Sequence, residues 1–336
     1  VSIKEIVVIY HAGCLDGVAA AAAFEEFREK YPDIKIDYRP EHYGRTSALK
    51  DLDGKDVYIV DFSYPPEVLE WVYDRVGSIT MLDHHQSAIE KWDGIPRQPH
   101  IKTLFDTTQS GASMAWAFVR AELRPAKEGW STPICFVPTL VQHVSDRDLW
   151  QFKMNDTKEL CAYLMGTAEF NDRDMAGFAK ILKQLDALVI DPAMSQEEFV
   201  RNCARQYLET CSQRNALVLM GRALTENTTR LIKRILNRQM QARRVFGYEN
   251  IPVVNLNYEM VSEAGDILCQ EHGYQFAVFY EDTPALGIRK FSLRSRKGMN
   301  VRVLAERMGG GGHDSAAGFT LALKDCEVDS VFQFFL

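Results

Sequence analysis

The 336-residue chain has no Cys-x-x-Cys pair among its seven cysteines, no excess of basic residues and no long apolar run. Without such pairs, Cys14, Cys135, Cys161, Cys203, Cys211, Cys269 and Cys326 form neither a disulfide framework nor a zinc ribbon. An odd, scattered set fits a reducing compartment. A net charge of -7 removes the broad basic face that holds duplex DNA by phosphate neutralisation. No run approaches the roughly 18 apolar residues of a membrane span. No basic stretch followed by an apolar core and a cleavage site opens the sequence. The expectation is a soluble, cytoplasmic protein with no membrane and no long duplex DNA among its partners. Any nucleic acid it acts on should be short and held locally.

What is present is the profile of a globular protein, 46% hydrophobic and 25% charged, with length for two domains. Three β-prone runs end in polar clusters. Residues 6–10 lead into His11, Cys14 and Asp16 before an alanine-rich helix at 18–24. Residues 57–60 end at Asp61, and residues 79–82 end at Asp83, His84 and His85. Helical patterns such as 66–75 lie between them. Apolar strands alternating with helices predict an α/β domain with a largely parallel sheet. In such sheets ligands gather beyond the carboxyl ends of the strands, where these polar residues fall.

Residues 106–111 read as the capped start of a helix at 112–120, and a helix at 138–144 delivers a second acidic cluster at 145–150. From about 172 to 244 the pattern is helical, with Phe199, Cys203, Tyr207 and Cys211 at i, i+4 spacing and the cysteines read as core. Strands at 253–256, 276–280 and 288–293, with helices at 262–272 and 301–308, predict a smaller α/β domain. The expected division is a catalytic domain at 1–190, a helical linker at 191–245 and a substrate-binding domain at 246–336.

His11, Asp16, Asp61, Asp83, His84, His85 and Asp146 mix carboxylate with imidazole, a donor set suited to manganese or magnesium rather than structural zinc. There are more carboxylates than one ion needs. Two ions roughly 3.5–4 Å apart, sharing a bridging carboxylate, would use them; such a pair activates water and stabilises in-line displacement at phosphorus. Phosphoester or phosphoanhydride hydrolysis is the expected reaction class. Near the C-terminus, four glycines at 309–312 precede His313 and follow the basic run Arg294, Ser295, Arg296, Lys297. They read as a backbone-amide nest for an anion, against the plainer reading of a flexible turn. No Lys-Ser/Thr pair follows, so this is not a P-loop.

Together HAGCLDG at 11–17, Asp61 after VYIV, LDHHQ at 82–86, DTTQSGAS at 106–113, SDRDLW at 145–150 and GGGGHDSAAGF at 309–319 resemble the DHH phosphoesterase family. The form resembled is the two-domain one with a DHH-associated C-terminal domain. The resemblance implies two manganese ions, with magnesium the alternative. His11 and Asp61 would hold one, and Asp16, Asp61, His84 and Asp146 the other, with Asp61 bridging. It places His85 near the substrate phosphate and Asp83 behind the imidazoles, orienting them as the second catalytic group. Where many members carry aspartate this chain has Cys14, either a thiolate ligand or a small buried hydrophobe. Arg294, Gly310, Gly311, Gly312 and His313 would grip the nucleotide. The function implied is hydrolysis of very short oligoribonucleotides, diribonucleotides such as pGpG above all, to mononucleotides. Alternatives are a cyclic-dinucleotide phosphodiesterase, a nucleoside-bisphosphate phosphatase, or a nucleotide-binding regulator with a weakened site. The expected partner is a short RNA or dinucleotide, with a homodimer left open.

Overall fold

The computed structural model describes residues 5–96, 100–123, 137–166, 174–186 and 196–326, the side chains of 196–208 excepted. Cys135, the side chains of Phe199, Cys203 and Tyr207, and the boundary expected at 190 lie outside the described residues. The chain divides into two compact units, Val1–Thr225 and Glu226–Leu336.

In the first unit β1 (Glu5–His11) is followed by α1 (Leu15–Ala22), α2 (Glu25–Lys30), β2 (Lys35–Glu41), β3 (Asp56–Val60) and α3 (Pro66–Leu69). Then come β4 (Ser78–Asp83), α4 (Gln86–Trp92), β5 (Ile101–Phe105), α5 (Gly111–Leu123), α6 (Thr139–Asp148), α7 (Thr157–Gly166) and α8 (Met175–Leu182). The five strands form one parallel sheet in the order β2-β1-β3-β4-β5. Alternate residues of β1 serve two cores. Ile6, Val8 and Tyr10 pack with α1, α5 and α6, while Val7 and Ile9 pack with Val57, Ile59, Ile79, Met81 and Phe62. Burial on both faces explains why β1, β3 and β4 read as continuous apolar runs; each fully buried Val or Ile contributes about 1.5–3 kcal/mol.

The expectation of a largely parallel α/β sheet matches what is found, with two strands added. β2 and β5 are the sheet's edges. Their sequences, KIDYRPE and IKTLF, are only partly buried, so they lack the two-sided apolar signature, and Pro40 is tolerated where no further strand pairs. The helix expected over 66–75 stops at Leu69. The order 2-1-3-4-5 has its switch point between β1 and β3, because the chain leaves β1 for one side and returns to the other. That opens a crevice beyond the carboxyl ends of those strands.

The long helix α9 (Gln196–Gln239) carries the division between the units. The second unit holds β6 (Gln241–Val245), β7 (Tyr248–Asn255), α10 (Val261–Asp266), β8 (Phe276–Thr283), β9 (Ile288–Ser295), α11 (Arg302–Glu306), β10 (Gly311–His313) and β11 (Ala316–Ala322). Its sheet runs β10-β11-β9-β8-β7-β6, with β7–β8 parallel and the other pairs antiparallel. Residues 241–244, expected as helix, are strand. Phe246 and Gly247 take positive φ values of 51° and 80°, the left-handed pair that closes a tight hairpin between β6 and β7. Among the described residues no helix is long and apolar enough to cross a membrane.

Candidate metal centre

Strand ends deliver most of the polar side chains. His11 closes β1, Asp61 follows β3, Asp83 closes β4, and His84 and His85 lead into α4. Asp16 comes from the first turn of α1, and Asp148 is the last residue of α6. Two glycines permit this convergence. A Cβ on Gly17 would stand 2.3 Å from the His11 carbonyl oxygen, so only glycine lets α1 start against the end of β1. A Cβ on Gly111 would stand 2.4 Å from the Asp61 Cβ, so only glycine lets α5 start there. Asp61 itself has φ +53°, a left-handed conformation that Asp tolerates better than most residues.

Two of the donor groups found among the described residues meet around Asp61. His11, Cys14 and Asp61 each offer one donor atom within 4.8 Å of the others, and Asp16, His84 and Asp148 do the same. Asp61 joins them: Oδ1 lies 3.1 Å from His84 Nε2, and Oδ2 lies 3.5 Å from His11 Nδ1. His84 Nε2 is also 3.4 Å from Asp148 Oδ2 and 3.9 Å from Asp16 Oδ2. Asp16 is steadied by the Ala112 amide at the start of α5, 3.2 Å from each carboxylate oxygen. Asp83 stands behind the imidazoles. Its Oδ1 accepts the His84 and His85 amides at 2.8 and 3.3 Å and meets His85 Nδ1 at 2.7 Å.

The electrostatics show a centre short of positive charge. Burial, reinforced by Asp61 and Asp148, pushes the Asp16 carboxyl well above its ordinary range. Burial also raises Asp148, with Asp61 adding to it while His84 opposes. Burial would disfavour a charged His84, yet the neighbouring Asp61, Asp148 and Asp16 carry its pKa to about 10. Burial alone would raise Asp61, but the imidazoles of His11 and His84 hold it well below the usual range. Burial and then Asp61, Asp148 and Asp16 push the Cys14 thiol up. His11 Nδ1, Asp61 Oδ2 and Asp148 Oδ2 are buried atoms that make no hydrogen bond. Three carboxylates, two imidazoles and a thiol converging with orphaned donor atoms fit a divalent cation pair better than any internal pairing.

Asp146, an expected ligand, stands outside both groups. Its carboxylate accepts the Lys153 amide at 2.8 Å, the Met154 amide at 3.0 Å and the Thr157 hydroxyl at 2.6 Å, and so ties down the loop after α6. Burial would raise it, but these three donors hold it below the ordinary carboxylate range. Asp148, not Asp146, falls in the group with Asp16 and His84. Two residues apart on a helix means about 200° apart around it. A signal was present: Asp148 follows Val141 and Val144 at i+7 and i+4, on the face that enters the core.

Residues 250–334 match the DHHA1 domain family. The DHH domain of a member of a ribosomal-protein family shares the fold at a TM-score of 0.55 and 16% identity, covering 99% of this chain and 85% of that one. The C-terminal unit thus carries a DHHA1 domain, and the chain shares the fold of a DHH-domain protein. It is also 26% identical over 333 residues to the uncharacterized protein R106 of Acanthamoeba polyphaga mimivirus, spanning 95% of this chain and 68% of that protein. A pGpG-specific phosphodiesterase from Vibrio cholerae aligns with 99% of this chain and 98% of its own at 14% identity, but a TM-score of 0.46 is too loose to carry an argument.

Within the DHHA1 unit, Arg294 lies on β9, where it donates to the Leu293 carbonyl at 3.0 Å and the Ser262 hydroxyl at 3.3 Å, its stem lying against Gly265. Part of the glycine run is committed to backbone pairing. The amides of Gly309 and Gly310 are spent on the Glu306 and Ala305 carbonyls at the end of α11, and residues 311–313 form β10 against β11. A Cβ on Gly310 would collide with the Gly318 carbonyl oxygen, so close sheet packing accounts for that glycine. The nest reading therefore loses the Gly310 amide, and Gly311, Gly312 and His313 remain as strand residues.

Proposed function

We propose that this chain is a DHH-family, divalent-metal-dependent phosphodiesterase that hydrolyses very short oligoribonucleotides, diribonucleotides such as pGpG above all, to mononucleotides. The observation that carries the reading is the pair of donor groups meeting at Asp61. His11, Cys14 and Asp61 would hold one ion, and Asp16, His84 and Asp148 the other, with Asp61 between them. Manganese suits the oxygen and imidazole donors, with magnesium second. Such a pair supplies Lewis-acid stabilisation of phosphoryl oxygens and activation of water.

The chain's own residues supply the rest. Burial opposes a charge on His85, but Asp83 at 2.7 Å raises its pKa. With Nδ1 committed to Asp83, Nε2 is the His85 atom that would meet a phosphoryl oxygen, and the raised pKa favours the form that donates to charge developing there. Asp83 fixes that ring rather than touching substrate. Asp16 is held in place by the α5 amide, so its carboxylate needs no reorganisation when substrate arrives. The net charge of -7 offers no general attraction to a long polyanion, which favours a short substrate gripped by the DHHA1 domain.

The test supplies the metal-stripped chain with manganese and compares pGpG with a much longer oligoribonucleotide, a cyclic dinucleotide and a nucleoside 3′,5′-bisphosphate. The dinucleotide should be cleaved fastest. Equal rates for the two oligomers, or no hydrolysis of pGpG, would overturn the proposal, and preference for either of the last two would redirect it.

A further inference from the structure

Cys14, half-buried, differs from the buried cysteines among the described residues. Cys161, Cys326 and Cys269 belong to apolar cores. Cys14 belongs to none, and the ionisable groups acting on it are Asp61, Asp148 and Asp16. It occupies the residue before α1 in an extended conformation, φ -119° and ψ 133°, and its side chain makes no capping hydrogen bond. The Gly17 amide in the first turn of α1 acts on the sulfur and favours its thiolate form, against burial and the carboxylates. It shares a 4.8 Å cluster with the His11 and Asp61 donors. Asp61 is 1% exposed, and its Oδ2 makes no hydrogen bond although it faces His11 Nδ1 at 3.5 Å. An orphaned buried carboxylate oxygen, an imidazole nitrogen and a sulfur that lies outside the apolar cores thus converge. The neighbouring group of Asp16, His84 and Asp148 contains no sulfur.

We infer that the two ion positions differ in kind: the one formed by His11, Cys14 and Asp61 binds a thiophilic divalent cation of the zinc class through the Cys14 thiolate, while the other keeps a harder ion. The inference rests on the metal reading above and deepens it. Thiolate selects zinc, cobalt or ferrous iron over manganese, and carboxylate reverses that preference. Binding breaks the Cys14 S–H bond, forms a sulfur–metal bond and releases the proton to solvent, with no change of oxidation state. The close approach that Gly17 permits between α1 and the end of β1 brings the sulfur to this position.

The test titrates cobalt into the metal-stripped, reduced, full-length chain. A near-ultraviolet sulfur-to-cobalt charge-transfer band should appear and saturate at one equivalent. It should be absent from Cys14→Ser and Cys14→Asp. Cys14→Asp restores a hard donor, so it should still bind two ions while its preference for zinc over manganese, read by metal analysis after competition, falls at least about tenfold. A band of undiminished intensity in Cys14→Ser, two cobalt ions bound by the native chain without a band, or an unchanged preference in Cys14→Asp would overturn the inference. A native chain that binds no divalent ion overturns it together with the metal reading. The band with no hydrolysis of pGpG supports the inference and overturns only the proposed activity.

Discussion

Asp148 and Asp146 carry the same charge in different surroundings, and substitution should separate the roles proposed for them. Asp148→Asn removes a donor from the Asp16–His84–Asp148 group, so its affinity for metal should fall by about 10–100-fold in calorimetric titration. Burial and Asp61 work against an ionised Asp148 in the metal-free chain, so that form should melt no lower than native. Asp146→Asn instead breaks a carboxylate receiving three donors, and should cost about 1.5–3 kcal/mol in denaturant unfolding while leaving metal affinity near native. His143, also on α6, is buried with Nδ1 2.8 Å from the Thr157 hydroxyl. Burial, with Arg214 contributing, lowers its pKa from 6.5 to about 4. Between those values the unfolded chain binds more protons than the folded one. Its contribution is therefore full above about pH 6.5 and is lost as pH falls toward 4. Melting temperature followed across that window should drop on acidification, and His143→Gln should flatten the slope.

At the scale of elements, the start of α5 is fixed by what Gly111 lacks. Gly111→Ala places a methyl 2.4 Å from the Asp61 Cβ, so either the helix or the carboxylate must move. Overpacking of this kind costs about 1–3 kcal/mol, and metal affinity at both donor groups should fall together because Asp61 joins them. Calorimetry that showed only one of two ions weakened would contradict the shared role. The elements also show what a sequence can disclose. β1, β3 and β4 are legible because helices cover both faces, leaving unbroken apolar runs that end at His11, Asp61 and Asp83. β2 and β5, at the edges, carry Arg39, Pro40, Lys102 and Thr103, which no alternation rule separates from loop. Asp148 was hidden for a different reason. SDRDLW offers two aspartates on one helix, and choosing between them requires the helix's rotation, which Val141 and Val144 encode only once it is known which face enters the core.

For the whole molecule, every donor of both groups lies in the unit Val1–Thr225, and the match to DHHA1 lies in the other. A chain ending at Thr225 should keep two-ion stoichiometry by elemental analysis while losing affinity for pGpG, since the proposed nucleotide grip is gone. Fewer than two ions would place a missing donor beyond Thr225. The donors themselves stretch from His11 to Asp148, across all the strands of the parallel sheet and the helices between them. A chain still emerging from the ribosome can present His11, Cys14 and Asp16 early, yet it has no complete pair of sites until α6 has been synthesised and docked. On the proposed metal reading, ion choice is thus made by a finished fold from whatever the surrounding metal pool contains at that moment. By mass action each ion at 100 times its dissociation constant then adds about 2.7 kcal/mol to that fold, so a newly made molecule gains resistance to unfolding and proteolysis only when it is loaded.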